Sequence, residues 1–131
     1  MTAQSAGLTA KTENNVAPAQ NINTARVRKL NDNFRRDLLN PTLGMLVFSA
    51  GVSAMMDGER FGLIDEVRCF EDFNANNDPY HEHDFGALNF HGEKYFWKID
   101  YYDKAMQFHS PDKSKAALTQ RVLTIMQANE Y

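Results

Sequence analysis

The stretch FGALNFHGEKYFWKIDYYD, residues 85–103, carries the alternation of side chains that decides the fold. A two-residue turn at His91–Gly92 is favoured, because glycine accepts a positive φ angle, and this turn places Gly86 opposite Trp97. A register shifted by one residue would mix the apolar face with polar residues. The stretch therefore predicts an antiparallel hairpin whose apolar face, with Trp97, lies in the core.

A second two-residue turn at Asp103–Lys104 extends this hairpin into a three-stranded meander, with Ile99 opposite Phe108 and Tyr101 opposite Met106. The predicted core face then holds Leu88, Phe90, Tyr95, Trp97, Ile99, Tyr101, Met106 and Phe108. The other face holds the mostly polar set His83, Phe85, Ala87, Asn89, Lys94, Phe96, Lys98, Asp100, Tyr102, Gln107 and His109.

Helical spacing is found on both sides of the hairpin. A first helix is predicted to start at Asn23 or Thr24 and to stop at Asn40, which precedes a proline. Its apolar face consists of Val27, Leu30, Phe34 and Leu38. GMLVFSAGV is expected to form a buried strand, and DGERFGLIDEVRCFEDF a helix with Phe61, Ile64 and Val67 on one face. The final segment, SPDKSKAALTQRVLTIMQANEY, is predicted as a helix with Leu118, Val122, Ile125 and Met126 on its apolar side.

The order of elements is then α-β-α-β-β-β-α, which is typical of an α+β domain. We expect a three- to four-stranded, mostly antiparallel sheet with helices packed on one face. Residues 1–22 are small and polar without hydrophobic periodicity, which predicts a disordered leader. Residues 23–131 form the single predicted domain.

Composition limits the class of protein. The formal net charge of −3 argues against a strongly basic nucleic-acid binder. No run of 18 apolar residues is present, and the N-terminus lacks an apolar signal region, so neither a membrane partner nor secretion is expected. Cys69 is the single cysteine, which fits a reducing compartment. These features predict a cytoplasmic protein.

The segment DPYHEHDFG, residues 78–86, contains the candidate chemistry. The meander register puts His83 opposite Asp100, where a carboxylate can orient an imidazole as a general base requires. Lys98 lies beside this pair, so His83, Asp100 and Lys98 are the candidate catalytic residues. The alternative is an ordinary contact on a solvated sheet face, which is the favoured interpretation.

A divalent metal is a second alternative for the same segment. On a strand, His81 and His83 point the same way and can bind one ion, and zinc would need a third ligand such as Asp78 or Asp100. Glu82 and Asp84 are the other candidate metal ligands in this segment. No known zinc spacing occurs in the chain, and no cofactor fingerprint is present, so no cofactor is predicted.

A basic helix face is the third candidate. It consists of Arg26, Arg28, Lys29, Arg35 and Arg36. Such a face can contact phosphates or an acidic protein, although most basic helix faces are only solvated.

Four motifs in order, LNDNFRRDL, FEDFNANNDPYHEHDFG, FWKIDYYD and RVLTIMQANEY, resemble a small family of proteins of unknown function. The family occurs mainly in alphaproteobacteria, often on plasmids or other mobile elements, and the resemblance covers residues 26–131. It implies no catalytic residues, since the family has no established activity. Positions that match its pattern are Asp78, Glu82, His83, Asp84, Trp97, Lys98, Asp100 and Asp103. The mobile-element association implies a role in regulation, defence or counter-defence.

These observations favour a small binding or regulatory module with a protein partner and no catalysis, since no complete catalytic constellation is present. One alternative is a hydrolase or nuclease-like enzyme that uses His83 and Asp100, with or without a divalent metal. The other is a nucleic-acid-binding protein that uses the basic first helix.

Overall fold

The computed structural model describes residues 18–131. Three α-helices and four strands make up most of this part of the chain. In order, they are α1 (Pro18–Arg36), β1 (Met45–Phe48), α2 (Ala50–Ser53), α3 (Asp57–Arg68), β2 (Phe85–Phe90), β3 (Glu93–Tyr102) and β4 (Gln120–Gln127). Short 3₁₀ helices, Ala116–Leu118 and Ala128–Glu130, flank β4. Among the described residues, no helix has the length and apolar character needed to cross a membrane.

The four strands form one mixed sheet in the order β1-β4-β3-β2. β1 pairs parallel to β4, whereas β4–β3 and β3–β2 are antiparallel. The helices pack on one face of the sheet, and the core between the two layers joins residues such as Phe34, Leu63 and Val67 to Trp97 and Ile125. This architecture confirms the predicted α+β class.

The hairpin of β2 and β3 has the predicted register, with Gly86 paired to Trp97 and Leu88 to Tyr95. His91 and Gly92 have φ angles of 52° and 80°, as a primed two-residue turn requires. Trp97 is 0% exposed, and a Cβ atom at position 86 would overlap its indole ring. Glycine is therefore needed opposite Trp97 because the indole ring lies against this position, with Phe70 also close by.

The second predicted hairpin is wrong. β3 ends at Tyr102, and the chain then forms a long connection in which only Tyr102 and His109 make an isolated bridge. Phe108, predicted for the core, is 71% exposed, and Met106 lies at the surface with a φ angle of 59°. The left-handed residue bends the chain away from the ladder, because a strand cannot contain that conformation.

The predicted C-terminal helix is also wrong, because its centre forms β4. In β4, Leu123 and Ile125 face the helices, while Val122 and Met126 lie on the other face, and all four are buried. A short continuous apolar run is consistent with a buried strand as well as with a helix. β4 lies between β1 and β3, so both of its edges are hydrogen-bonded.

Smaller corrections concern the first half of the chain. α1 begins at Pro18, five residues before Asn23, so the last part of the leader predicted for residues 1–22 is helical, whereas residues 1–17 lie outside the described residues. β1 is an edge strand and is less buried than expected, with Met45 and Val47 45% and 36% exposed. In α3, Leu63 takes the core position expected for Phe61, which is exposed.

Candidate functional site

The segment between α3 and β2, which contains DPYHEHDFG, folds as an irregular loop. His81 and His83 have positive φ angles of 60° and 56°, which interrupt any strand. Asp78 is buried and accepts a 2.9 Å hydrogen bond from the backbone N–H of His83. The two histidines are therefore not alternate positions on one strand, as the metal hypothesis required.

The imidazole of His83 contacts the helical layer of the domain. Its Nδ1 lies 2.8 Å from Oδ1 of Asp32 in α1, and its Nε2 lies 3.4 Å from Oδ2 of Asp78. The ring stacks on Phe73, with centroids 3.7 Å apart and an interplanar angle of 4°. Both ring nitrogens therefore face carboxylates, and a ring face is covered by an aromatic side chain.

The predicted pair of His83 and Asp100 is not formed. The ladder continues only as far as Asp84, whose carbonyl oxygen accepts a 2.9 Å hydrogen bond from the N–H of Ile99. One residue earlier, the left-handed backbone of His83 ends the strand alternation. Asp100 instead lies 3.1 Å from Lys98. Two of the three candidate catalytic residues thus meet, on the face of the sheet away from the helices.

Asp32 joins His83 to a buried guanidinium. Arg35, which is 0% exposed, lies 2.9 Å from Asp32 and donates a 3.0 Å hydrogen bond to the carbonyl of Phe70. Burial acts to raise the pKa of Asp32, but hydrogen bonds from Arg35 and His83 outweigh it and hold that pKa below its ordinary value. The carboxylate therefore stays ionised and ties the loop to α1.

A second network joins α1 to β3 and β4. The hydroxyl of Tyr101 donates to Asp84 at 2.9 Å and accepts from the side-chain amide of Asn31 at 2.7 Å. The amide oxygen of Asn31 accepts a 2.7 Å hydrogen bond from Nε of Arg121. Burial raises the pKa of Asp84. Burial and the nearby Asp84 carboxylate together raise the pKa of Tyr101. The hydroxyl of Tyr101 is therefore held protonated as a donor.

Asn31, Tyr101 and Arg121 were not among the residues proposed from the sequence for any site. One signal was present, because Asn31 lies between Val27 and Phe34 at helical spacing, where a core residue is expected. A polar residue on an apolar helix face requires a buried partner. Nothing in the sequence pattern identified that partner as Arg121.

The residues proposed as metal ligands do not converge. His81 is exposed, Glu82 pairs with Lys113 at 2.9 Å, and Asp84 is bonded to Tyr101. Across residues 18–131, no three side chains of His, Cys, Asp or Glu are arranged to hold a metal ion. Instead, His83, Glu82 and Asp84 make contacts within the domain that hold the loop in place.

The basic face proposed for α1 is interrupted. Arg35 is buried beneath the helix, in contradiction of its predicted exposure. Arg28 donates a 3.0 Å hydrogen bond to the carbonyl of His81, and Arg36 lies 3.6 Å from Glu71. Arg26 and Lys29 are exposed. Nucleic-acid binding by this face stays a prediction, carried by four of the five basic residues.

The face of the sheet opposite the helices is the other candidate, and we call it the open face. At its centre is a cleft of about 680 Å³, with an apolar floor that includes Met45, Val47, Val122 and Met126. Lys98 and Asp100 lie in this cleft as an ion pair, each more than a third exposed. Concave surfaces with an apolar floor and a few polar groups are typical of binding sites.

The C-terminal residues form one rim of the cleft. Glu130 accepts hydrogen bonds from the hydroxyl of Ser49 at 2.6 Å and from the N–H of Gly51 at 2.8 Å, and these bonds hold the pKa of Glu130 below its ordinary value. Tyr131 follows, with its ring 5.3 Å from Phe96 and 5.9 Å from Phe85. The rim is therefore anchored to the sheet and aromatic.

The molecule is thus a two-layer α+β domain with one covered and one open sheet face, and its histidine motif is engaged in internal contacts. Residues 48–130 match the model of a family described as a protein of unknown function (DUF3768), and the chain belongs to this family. No curated protein and no solved structure matches the chain.

Proposed function

We propose that this protein is a non-catalytic protein-binding module and that the open face of its sheet is the binding surface. The observation that carries the proposal is the distribution of the helices, which cover one face of the sheet and leave the other open around the cleft. Met45 and Val47 present apolar surface there on an edge strand. Exposed apolar surface with a polar rim is typical of sites that bind other proteins.

The chemistry of the histidine motif supports binding over catalysis. A general base needs a ring nitrogen that is free to reach a substrate, but Asp32 and Asp78 face both nitrogens of His83. The ion pair of Lys98 and Asp100 lies on the open face without a histidine in its cleft. The enzyme hypothesis that joined His83 to Asp100 therefore loses its geometric basis.

The proposal extends to a regulatory role linked to mobile genetic elements, in the cytoplasm. This extension rests on the resemblance of the four sequence motifs to the family and on the single cysteine. It assigns the open face, and not the loop at His83, as the surface on which such regulation acts.

Site-specific photo-crosslinking tests the open face. A photoreactive side chain at Val47 lies on the floor of the cleft, and the same group at Glu66, exposed on α3, is the matched control. We expect one discrete crosslinked protein product from position 47 in cells and none from position 66. Excess wild-type chain should suppress a product formed with a different protein, whereas excess Thr124→Lys chain, which has a charge on the cleft floor, should not. Equal yields from the two positions, or no product from either, would overturn the proposal.

A further inference from the structure

The charges at the centre of the open face have an arrangement that suits one kind of partner. Lys98 and Asp100 are two residues apart on β3, so both side chains point out of the same face of the sheet. Their charged atoms are 3.1 Å apart, and their side chains are 39% and 38% exposed. The cleft therefore presents one cation and one anion side by side.

This pair is complementary to itself under a two-fold rotation. Consider a second copy whose open face lies against the first, related to it by a two-fold axis in the plane of the interface. The axis runs perpendicular to β3 and passes above Ile99, so β3 of the second copy runs in the opposite direction. It then places Lys98 over the second copy's Asp100, and Asp100 over the second copy's Lys98. Two-fold interfaces require such a self-complementary patch, and the two new ion pairs would satisfy all four charges.

The other anion that lines the cleft does not oppose this arrangement. Glu130 accepts hydrogen bonds within the domain from Ser49 and Gly51, so its carboxylate already has hydrogen-bond donors. The formal net charge of the whole chain is only −3, so repulsion between two copies is modest. The approach of a second copy therefore leaves the hydrogen bonds of Glu130 in place.

The apolar floor around the ion pair suits the same geometry. Two sheets that pack face to face keep their strand directions within about 30° and interdigitate their side chains. Met45 and Val47 are 45% and 36% exposed on the edge strand, and the flexible side chain of Met45 can adapt to an opposing surface. Packing two open faces together would remove this apolar surface from water, as the helices do on the covered face.

We propose that the open face binds a second copy of this chain, in a two-fold dimer in which Lys98 of each copy pairs with Asp100 of the other. This inference rests on the proposed function, because it names the protein that occupies the open face. The dimer is a four-layer assembly with helices on both outer sides and the two sheets in contact.

Charge reversal on the purified full chain tests the dimer. We expect sedimentation velocity over a concentration series of about two decades to show a monomer–dimer equilibrium for the wild type. Lys98→Glu alone and Asp100→Lys alone each place two like charges against each other, and each should weaken dimerisation at least about tenfold. An equimolar mixture of the two variants should recover a dimer, since both of its contacts again join opposite charges.

A matched control is available on the helical layer. Asp65 and Arg68 form a 3.0 Å exposed ion pair on α3, and Asp65→Lys and Arg68→Glu should leave the dimerisation constant unchanged. Recovery in the mixture also excludes misfolding as the cause of weakened association, because unfolded variants cannot restore each other. A wild-type monomer at every concentration, single reversals without effect, or a mixture that stays monomeric would each overturn the proposal.

The crosslinking experiment separates the two proposals. If the Val47 product has the mass of two copies of this chain, both proposals are supported. If the purified chain is monomeric but position 47 still gives a competable product of another mass, the dimer is overturned and the binding function of the open face stands.

Discussion

The Nδ1 atom of His83 lies 2.8 Å from Oδ1 of Asp32 in the first helix, and the two residues are 51 positions apart in the chain. This contact joins the loop that carries the histidine motif to the helical layer. It replaces the predicted contact with Asp100, which pairs with Lys98 on the open face.

The contact between His83 and Asp32 should stabilise the fold. In a double-mutant cycle with His83→Ala and Asp32→Ala, measured by urea unfolding, we expect a coupling free energy of about 0.5–3 kcal/mol, as for residues in one hydrogen-bonded network. The same cycle with His83→Ala and Asp100→Ala should give no coupling. A coupling to Asp100 equal to that with Asp32 would contradict the observed geometry.

The pH dependence of stability should report the depressed pKa of Asp32. Because the pKa is lower in the folded state, the carboxylate stabilises the fold fully above its unfolded pKa of about 3.9. This contribution is lost as the pH falls through the folded pKa. The difference in urea midpoint between wild type and Asp32→Asn should therefore shrink on acidification from pH 6 to about pH 2. A difference that is constant over this range would contradict the pKa direction.

Asp84 should show the opposite dependence, because burial raises its pKa in the folded state. The favourable contribution of its protonated form is complete below the unfolded pKa and is lost as the pH rises through the folded pKa. Relative to Asp84→Asn, the wild type should thus lose stability as the pH rises above about 4. The Asp84 and Asp32 experiments serve as controls for each other. A nonspecific effect of acid on the protein would change both stability differences between wild type and variant in the same direction.

At the contact between Gly86 and Trp97, both the removal and the addition of side-chain volume should lower the free energy of unfolding. Trp97→Ala should cost about 3–5 kcal/mol, as large truncations in a core do. Gly86→Ala should cost about 1–3 kcal/mol, because a Cβ atom overlaps the indole of Trp97 and approaches Phe70. Gly58→Ala is the matched control, since a Cβ atom there meets nothing within 4 Å. Urea midpoints give all three values, and a loss below about 1 kcal/mol for Trp97→Ala would contradict the core position.

Breaking the hydrogen-bond network around Asn31 should lower the stability of the fold. Asn31→Ala removes the acceptor of the Arg121 Nε–H and the donor to Tyr101, and a loss of about 1–3 kcal/mol is expected for each buried group left without a partner. Asn33→Ala, at an exposed position of the same helix, should stay within about 0.5 kcal/mol of wild type. Equal effects of the two substitutions in thermal or urea unfolding would show that the network contributes nothing.

The sequence alone determined the hairpin of β2 and β3, including its register and the burial of Trp97. This was predictable because a strand alternates its side chains with a period of two, and only one register around the His91–Gly92 turn puts the apolar residues on one face. It also determined the α+β class and the existence of α1, whose apolar residues repeat at helical spacing over several turns.

Only the tertiary structure decided the state of the final segment and the direction of His83. The run from Val122 to Met126 is apolar except for Thr124, so its pattern fits a helix or a central strand. It forms a strand because β1 and β3 hydrogen-bond to both of its edges. Likewise, the left-handed backbone at His83 turns the imidazole to Asp32 and Asp78, partners that are distant or irregularly placed in sequence. Local periodicity encodes contacts within one element or across a tight turn, whereas these contacts depend on how separate elements meet in space.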